Sequence, residues 1–381
     1  MYTPVVVVFW TALLFVAYSY LFYPLLLTLC SRLFGKDVAS DLGYLPSVGF
    51  LVPVYNEEEV IEKKIRNIFA VDYPPEKISI WIGSDQSSDR SVALARSFKD
   101  SRVHVWEAPR RGGKTEILNH LAPQIDADII IFTDANTMHE STGIRRLVSV
   151  FADKTVGGAG GVILHATQGT QEFEEMAYRS FESYQKILES RLHSTISAFG
   201  GFYALRRGLF TPIPENAYSN DDVLIPMNIV RQGFRVVFVP QAVSYEDMTE
   251  DLAQEFKRRV RIGAGNVQAF TWLLDFLSPF KGWPCFCYVS HKVTRWFSPL
   301  FIVLGLVACA ILSEAAHIPF YRVLFGAAVV AVAAAFSSQI VPLKPTRRLF
   351  YFLAMNAALC LGYFRFAKGI RSAAWDRTQR S

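Results

Sequence analysis

Val48-Gly49-Phe50-Leu51-Val52-Pro53-Val54-Tyr55-Asn56-Glu57-Glu58 is the stretch whose reading decides the fold. The unbroken apolar run from Val48 to Val54 predicts a strand buried on both faces, ended by the polar Tyr55-Asn56-Glu57-Glu58. From Glu57 to Ala70, the residues Val60, Ile61, Ile65, Ile68 and Phe69 fall on one face, which predicts a helix. The pattern then repeats, with strands predicted over Lys77 to Gly83, Arg102 to Glu107 and Asp128 to Thr133, and helices starting near Asp89, Thr115 and Glu140. Strands alternating with helices mark a parallel sheet covered on its faces, so the segment from about Gly43 to Gln268 is expected to be a Rossmann-like α/β domain.

In open sheets of this kind ligands gather at the carboxyl ends of the strands. There the sequence carries Tyr55-Asn56-Glu57-Glu58, Ser84-Asp85-Gln86-Ser87-Ser88-Asp89 and Thr133-Asp134-Ala135-Asn136. Any one of these acids could be a helix cap, but three acidic strand ends on one edge point to a site. Gly157-Gly158-Ala159-Gly160-Gly161 lacks the spacing of a dinucleotide fingerprint. Arg110-Arg111-Gly112-Gly113-Lys114-Thr115 comes nearer to a phosphate loop, yet Ala108 stands where the first loop glycine should be, which leaves a nucleotide triphosphatase as a weak alternative. Glu172 to Arg191 reads as an amphipathic helix with Phe173, Met176, Ala177, Phe181, Tyr184, Ile187 and Leu188 on one side, for core or membrane packing.

Composition bounds what surrounds this domain. Hydrophobic residues are 51% of the 381 and charged residues 19%, which excludes a disordered chain. A net charge of +5, from 39 Lys and Arg against 34 Asp and Glu, is too small a bias over this length to imply a nucleic-acid partner. Cys30, Cys285, Cys287, Cys309 and Cys360 all lie in or beside apolar runs, so the thiol-free middle does not belong to a disulfide-stapled secreted fold. Pro4 to Ser31 carries no charge and is long enough to span a bilayer, without the basic start of a signal peptide. Uncharged runs return at Trp296 to Ser313, Val323 to Leu343 and Leu349 to Phe364. The expected organisation is an N-terminal membrane helix over 1–40, the α/β domain over 41–268, and an interfacial helix, membrane helices and a basic tail over 269–381.

Taken in order, Val52-Pro53-Val54-Tyr55-Asn56-Glu57-Glu58, Ser84-Asp85-Gln86-Ser87-Ser88-Asp89, Gly113-Lys114 with Leu118-Asn119, and Thr133-Asp134-Ala135-Asn136 resemble the nucleotide-sugar half of inverting family 2 glycosyltransferases. The match continues through Gly200-Gly201-Phe202-Tyr203-Ala204-Leu205-Arg206-Arg207, Asn220-Asp221-Asp222-Val223, Gly233-Phe234-Arg235, Pro240-Gln241-Ala242, Glu246 and Arg258-Arg259-Val260-Arg261. Each motif is short, but their order and spacing together resemble the membrane-integrated branch of cellulose, chitin and hyaluronan synthases. The resemblance implies a glycosyltransferase A-type domain flanked by transmembrane helices. It also implies a donor that is a nucleoside diphosphate sugar, of the UDP class, and transfer of a hexosyl or N-acetylhexosaminyl group to a glycan or lipid-linked acceptor.

The resemblance also implies roles. Asp85 matches the aspartate that contacts the nucleoside, with Tyr55 and Glu57 on the neighbouring strand end. Lys114, Arg259 and Arg261 would face the diphosphate, although a basic stripe against lipid headgroups is the rival reading of residues 258–261. Asp134 matches the first acid of an Asp-x-Asp motif for Mg²⁺ or Mn²⁺, but the third position is Asn136, one negative charge fewer. Asp222 matches the catalytic base and Asp221 the acid before it, both also able to cap the following helix. Gly200 and Gly201 would let backbone approach the acceptor, or simply turn into a strand. Synthases of this branch carry Gln-x-x-Arg-Trp where this chain reads Arg258-Arg259-Val260-Arg261-Ile262, so the arginine is kept while the glutamine and the stacking tryptophan are lost. Single transfer therefore stands beside polymerisation, and a scaffold or transporter that binds nucleotide sugar without turnover is the non-enzymatic alternative.

Nucleotide sugars are cytosolic, which assigns the domain to the cytoplasmic side of the plasma (inner) membrane with Met1 outside, and Arg32 and Lys36 fit the positive-inside bias. Phe270 to Phe280 reads as an interfacial helix against membrane lipids. Arg365, Lys368, Arg371, Arg377 and Arg380 mark a cytoplasmic tail, ending in Trp375-Asp376-Arg377-Thr378-Gln379-Arg380, which also resembles a tail of this branch. Three late crossings would put that tail outside, so the short run Leu349 to Phe364 is expected to be interfacial or re-entrant.

Overall fold

The computed structural model describes residues 2–165, 172–246, 252–315, 318–341 and 343–369. The end of the basic tail, including Arg371, Arg377, Arg380 and the Trp375-to-Arg380 segment, lies outside the described residues, as do the side chains of Phe173, Met176 and Ala177.

The deciding stretch forms β1, Val48–Val54, buried at every position. Its neighbours are β2 (Ile78–Ser84) and β4 (Ile129–Thr133), both parallel to it, with β3 (Val103–Glu107) parallel outside β2. Helices α2 (Ile61–Phe69), α3 (Ser91–Arg96), α4 (Lys114–Leu121) and α5 (Gly143–Ser149) make the connections, and four short strand-helix repeats thus appear where the periodicity predicts them. Four further strands, β5 (Met138–His139), β6 (Val156–His165), β7 (Phe202–Arg206) and β8 (Arg235–Glu246), complete an eight-stranded sheet of order β3-β2-β1-β4-β7-β6-β8-β5.

The sheet is mixed, which corrects the all-parallel expectation. β7 runs antiparallel to both β4 and β6, and β5 runs antiparallel to β8. The cause is the segment after α6 (Glu172–Leu192). It runs back along the sheet before β7 begins, with Thr195 N–H donating to Val236 O at 2.8 Å and Ala198 N–H to Asp222 O at 2.8 Å. β7 therefore starts at the edge where β4 ends, Phe202 opposite Thr133. The glycines of the 157–161 cluster are packing positions in β6: a side chain at Gly157 would strike Leu209, Ile229 and Phe234, and one at Gly161 would strike Phe202.

Alternation along the strands divides the interior into two layers. Phe50, Val52 and Val54 face α2 and α5 with Ile65, Ile144 and Leu147. On the other face, Leu51, Ile130 and Tyr203 join a core that continues without a break through Leu118 and Leu188 to Tyr23, Leu27, Tyr288 and Trp296. Those last four belong to helices α1 (Thr3–Phe34) and α9 (Trp283–Ala315), which with α10 (Pro319–Ser337) and α11 (Lys344–Ala367) are long and apolar enough to cross a membrane. Helix α6 joins the domain to these long apolar helices through buried polar contacts. Tyr23 Oη donates to Glu189 Oε1 at 2.7 Å, Arg295 donates to Glu182 Oε2 at 2.6 Å, and Lys292 donates to Glu182 Oε1 at 3.2 Å.

Two expectations about this region change. Phe270 to Phe280 is not one helix: α8 (Leu252–Trp272) ends within it, and short 3₁₀ turns follow. Leu273 and Phe276 enter the core, and Asp275 is drawn to Arg231 at 2.7 Å, which ends the helix. Leu349 to Phe364 is not a short isolated segment but the middle of the 24-residue α11. That helix meets α8 at a backbone contact where a side chain at Gly263 would lie 2.7 Å from Leu359 O, and one at Gly362 would lie 2.6 Å from Ala264 N.

Candidate active site

A cavity of about 420 Å³ opens at the carboxyl edge of the sheet, and Tyr55, Glu57, Lys114, Asp134, Asn136, Gly200, Gly201, Asp221, Asp222, Arg259 and Arg261 all line it. Topology explains the convergence. β1 and β4 deliver Tyr55, Glu57 and Asp134 from their ends, while β7, entering in the opposite sense, delivers Gly200 and Gly201. Helix α4 starts at Lys114, after Gly113 at φ 86°, and α7 (Asp221–Arg231) starts at Asp221, after Asn220 at φ 69°. Helix α8 is stapled to the loop before α7: Tyr218 N–H donates to Gln268 Oε1 at 2.9 Å, and Asn220 Nδ2 donates to Asn266 Oδ1 at 2.8 Å.

Lys114 is the central cation. Its Nζ stands 3.1 Å from Asp134 Oδ1 and 3.2 Å from Asp221 Oδ2, and donates to Gly200 O at 3.3 Å. Burial works against its charge, but the two carboxylates outweigh burial and hold its pKa above the ordinary lysine value. Asp221 also accepts a hydrogen bond from Tyr203 Oη at 2.9 Å, and burial with that neighbouring charge pushes the Tyr203 phenol well up.

Asp222 is placed differently. Neither aspartate caps α7, whose N-cap Asn220 makes no side-chain bond to the helix. The Asp222 carboxylate accepts no hydrogen bond among the described residues, and it faces Gly200, where a side chain would come within 3.7 Å of it. Burial, then the charge of Asp221, pushes its pKa up to about 6, against the pull of Lys292, Lys114 and Lys186. Such a group is mostly ionised at neutral pH and able to accept a proton. Gly201 is required by packing, since a side chain there would lie 2.6 Å from Thr137 Oγ1 and 3.4 Å from Asp134 Oδ2.

Asp85 does not line the cavity. It is wholly buried, and its Oδ1 accepts from the backbone N–H groups of Gly112 at 2.8 Å and Gly113 at 3.1 Å. Those amides are therefore committed within the protein, and the 110–115 loop is not a phosphate cradle. Arg111, which the sequence reading passed over, stands 3.6 Å from Asp85 Oδ2 and lies over the Tyr55 ring at 3.7 Å, giving that rim a planar cation above an aromatic face. Asn119 also turns inward, accepting from Ile213 N–H at 3.0 Å and donating to Ile213 O at 2.7 Å.

The three arginines of α8 line the cavity, which removes the reading of residues 258–261 as a stripe facing only headgroups. Arg259 Nε donates to Glu255 Oε1 at 2.7 Å, and Arg258 lies 3.4 Å from the same carboxylate. Arg261 is half-buried, with its Nε enclosed and without a hydrogen-bond acceptor among the described residues, while desolvation and the nearby Arg258 lower its pKa. Beneath Asp134, the wholly buried Lys64 donates to Thr133 Oγ1 at 2.7 Å and contacts His139 Nε2 at 3.1 Å. Burial brings Lys64 down to about 7, with Asp134 opposing.

The residues fit a hard divalent cation. Among the described residues no group of three His, Cys, Asp or Glu side chains forms a complete metal site, so a cation here would complete its shell with phosphate oxygens, the habit of Mg²⁺ and Mn²⁺ at nucleotides. Asp134 offers a carboxylate already facing one cation, the Lys114 ammonium. Asn136 turns its amide nitrogen to Glu246 Oε1 at 2.9 Å, a partner at the end of β8 that the sequence reading noted without a role.

Comparison with known proteins agrees with this geometry. The model of the family described as glycosyltransferase like family 2 matches residues 46–265. The chain is 24% identical over 247 residues to a probable glycosyltransferase, YdaM, of Bacillus subtilis (strain 168), covering 62% of this chain and 58% of the relative. It is 34% identical over 119 residues to a beta-monoglucosyldiacylglycerol synthase of Trichormus variabilis, covering 30% of this chain and 25% of the relative. It is 23% identical over 253 residues to a poly-beta-1,6-N-acetyl-D-glucosamine synthase of Staphylococcus aureus, covering 65% of this chain and 60% of the relative. The chain thus spans less than two thirds of the length of these curated relatives. A mannosyltransferase from Pyrobaculum calidifontis, solved with GDP-Man and Mn²⁺, superposes with a TM-score of 0.72 over 94% of this chain and 99% of its own, at 23% identity, which establishes a shared fold. With a family match over more than half its length and that fold around the cavity, the chain belongs to the family 2 glycosyltransferases.

Proposed function

We propose that the chain moves a sugar from a nucleoside diphosphate sugar, of the UDP class, to a glycan or lipid-linked acceptor with inversion at the anomeric carbon, in cell-surface polysaccharide synthesis. The observation that carries this reading is Asp222, a carboxylate whose pKa is pushed up to about 6 in a cavity also lined by Lys114 and Arg261, which can receive an anionic diphosphate. In this reading Tyr55, Glu57 and Arg111 receive the nucleoside, and Asp85 supports that rim from below by fixing Gly112 and Gly113. Lys114, released from Asp134 and Asp221, and Arg261 hold the diphosphate oxygens, with Arg259 at the margin. Asp222 takes the proton of the acceptor hydroxyl as its oxygen attacks opposite the leaving diphosphate. Asp221 keeps Lys114 and Tyr203 in register beside it, and Gly200 and Gly201 leave the acceptor room. Mg²⁺ or Mn²⁺, held through Asp134 and Asn136, would neutralise the departing diphosphate so that no general acid is required.

The domain is assigned to the cytoplasmic face of the plasma (inner) membrane, with α1, α9, α10 and α11 among membrane lipids. Support comes from the four long apolar helices and from Arg32 and Lys36 beside the inner end of α1. A second reading, single transfer to a glycolipid, is favoured by two features. Ile262 stands where synthases carry a stacking tryptophan, and Arg295, Trp296 and Leu359 of α9 and α11 form part of the cavity wall, within reach of a membrane-borne acceptor. A time course of product length separates the readings, because only a polymerase lengthens its product. The test of both is incubation of the detergent-purified protein with a panel of radiolabelled UDP- and GDP-sugars plus Mn²⁺ or Mg²⁺. Release of nucleoside diphosphate from one donor is expected, and no release across the panel overturns the assignment.

A further inference from the structure

The Asp-x-Asp pattern is broken at Asn136, yet the cavity has not lost the missing charge. Glu246 also lines the cavity, at the carboxyl end of β8. β8 runs parallel to β6, and β6 shares its direction with β4 through the antiparallel β7, so Glu246 and Asp134 leave the sheet at the same edge. The Asn136 side chain spans the gap, its Nδ2 donating to Glu246 Oε1 at 2.9 Å. An amide held by its nitrogen has its carbonyl oxygen as the remaining polar atom, so one hydrogen bond orients both an amide oxygen and a carboxylate.

The same contact explains why position 136 is not acidic. An aspartate there would set two carboxylates against each other at hydrogen-bond distance, with no proton between them. The negative charge can stand at 136 or at 246, and in this chain it stands at 246. Lys114 provides a second, independent sign that this floor is built for positive charge, since its ammonium already bridges Asp134 and Asp221.

We propose that Glu246 supplies the second carboxylate of the divalent-cation site, replacing across the sheet the acid that Asn136 lacks in sequence. The inference rests on the reading that a cation joins the donor diphosphate at Asp134. A hard cation suits this oxygen set of two carboxylates and one amide carbonyl, with the rest of its shell left to phosphate and water. Glu246 lies 110 residues from Asn136, so the substitution is invisible to a search for a local motif.

The test exchanges the charge. Glu246→Gln keeps an oxygen to accept from Asn136 Nδ2 but removes the charge, Asn136→Asp crowds two charges, and the double variant Asn136→Asp/Glu246→Gln moves the charge to 136. Binding of Mn²⁺, with UDP and separately with GDP, is followed by the spin-resonance signal of free Mn²⁺, a readout independent of turnover. Thermal unfolding of the metal-free variants controls for folding. Glu246→Gln is expected to weaken Mn²⁺ binding about tenfold or more, the lower end of what loss of a site partner costs, and the double variant to return within about threefold of the parent. Asp134→Ala serves as the reference for the underlying reading. If Asp134→Ala loses Mn²⁺ while Glu246→Gln binds it like the parent, or if the double variant binds no better than Glu246→Gln, Glu246 is not the replacement acid. If Asp134→Ala itself binds Mn²⁺ unchanged, the metal reading falls and the proposal falls with it.

Discussion

Asp85, at the end of β2, and Asp222, in the first turn of α7, stand at the same sheet edge in opposite circumstances. Asp85 is sealed from solvent and receives two backbone N–H groups, with Arg111 against its other oxygen. Asp222 faces the cavity with Asp221 beside it, and its pKa is driven up to about 6. On the donor side, Asp85 Oδ1 and the Asn119 amide are thus tied to the backbone of their own loops, while Asp85 Oδ2 meets the Arg111 charge without a hydrogen bond. The acceptor side is left electrostatically unbalanced. A saturated acid fixes geometry, whereas an unbalanced one has something left to do, and hydrogen bonding separates the two roles where residue type cannot.

The comparison breaks most sharply at Asp222. Asp222→Asn is expected to lower turnover by about 10²- to 10⁴-fold, the range of general-base contributions, while calorimetry finds nucleoside diphosphate binding unchanged. Turnover within about tenfold of the parent, a barrier change of roughly 1.4 kcal/mol, would return Asp222 to the saturated class. Asp85→Ala should do the reverse. With two buried N–H groups left unpaired, it is expected to destabilise the domain by about 2–3 kcal/mol, read as a lowered unfolding midpoint, and to weaken donor binding only as the 110–115 loop loosens. Unaltered stability would mean that the Asp85 bonds are not structural.

Stability sharpens the same contrast in pH. A carboxyl whose pKa rises from 3.8 unfolded to about 6 folded binds more protons in the folded state between those values, so stability falls as pH rises from about 4 to about 6. Above pH 6 that cost is fully present. Asp222→Asn removes it, and is expected to stabilise the protein at pH 7 by roughly 1–3 kcal/mol, with the gain gone at pH 4. In the parent, kcat/KM should fall below about pH 6 as Asp222 takes up a proton. A variant no more stable than the parent at pH 7 would contradict the imbalance assigned to this residue.

Legibility in the sequence followed the same division. β1 coincides with Val48–Val54 because a doubly buried strand is an unbroken apolar run, β4 starts within a residue of its expected position for the same reason, and the only partly buried β2 and β3 do so as well. Antiparallel β7 was not legible, since the extended return after α6 has no periodicity to read. Phe270, Leu273 and Phe276 have helical spacing, but the pull of Arg231 on Asp275 ends the helix, a contact 44 residues away in sequence. The cavity residues were legible as strand-end and motif residues, with Asp85 the exception that turned inward. Arg111 over Tyr55 and Glu246 against Asn136 are products of tertiary approach, and local motifs do not encode them.

The smallest expected effect lies within α8, where the contrast between saturated and unbalanced groups recurs two residues apart. Arg259 is tied to Glu255 at 2.7 Å on its own helix, an i,i+4 pair, whereas the half-buried Arg261 has an enclosed Nε that lacks an acceptor among the described residues. A guanidinium in that state gains most from phosphate oxygens, which would supply the missing acceptor, and lysine cannot reproduce its planar fork. Arg261→Lys is therefore expected to weaken nucleoside diphosphate binding about tenfold, or roughly 1.4 kcal/mol. Arg259→Lys keeps a charge beside Glu255 and should change affinity by less than about threefold, the scale of a surface pair. Calorimetric titration of both variants with UDP and with GDP measures the difference. Equal losses would show that Glu255 does not hold Arg259 back from the diphosphate, and a larger loss at Arg259 would exchange the roles of the two arginines.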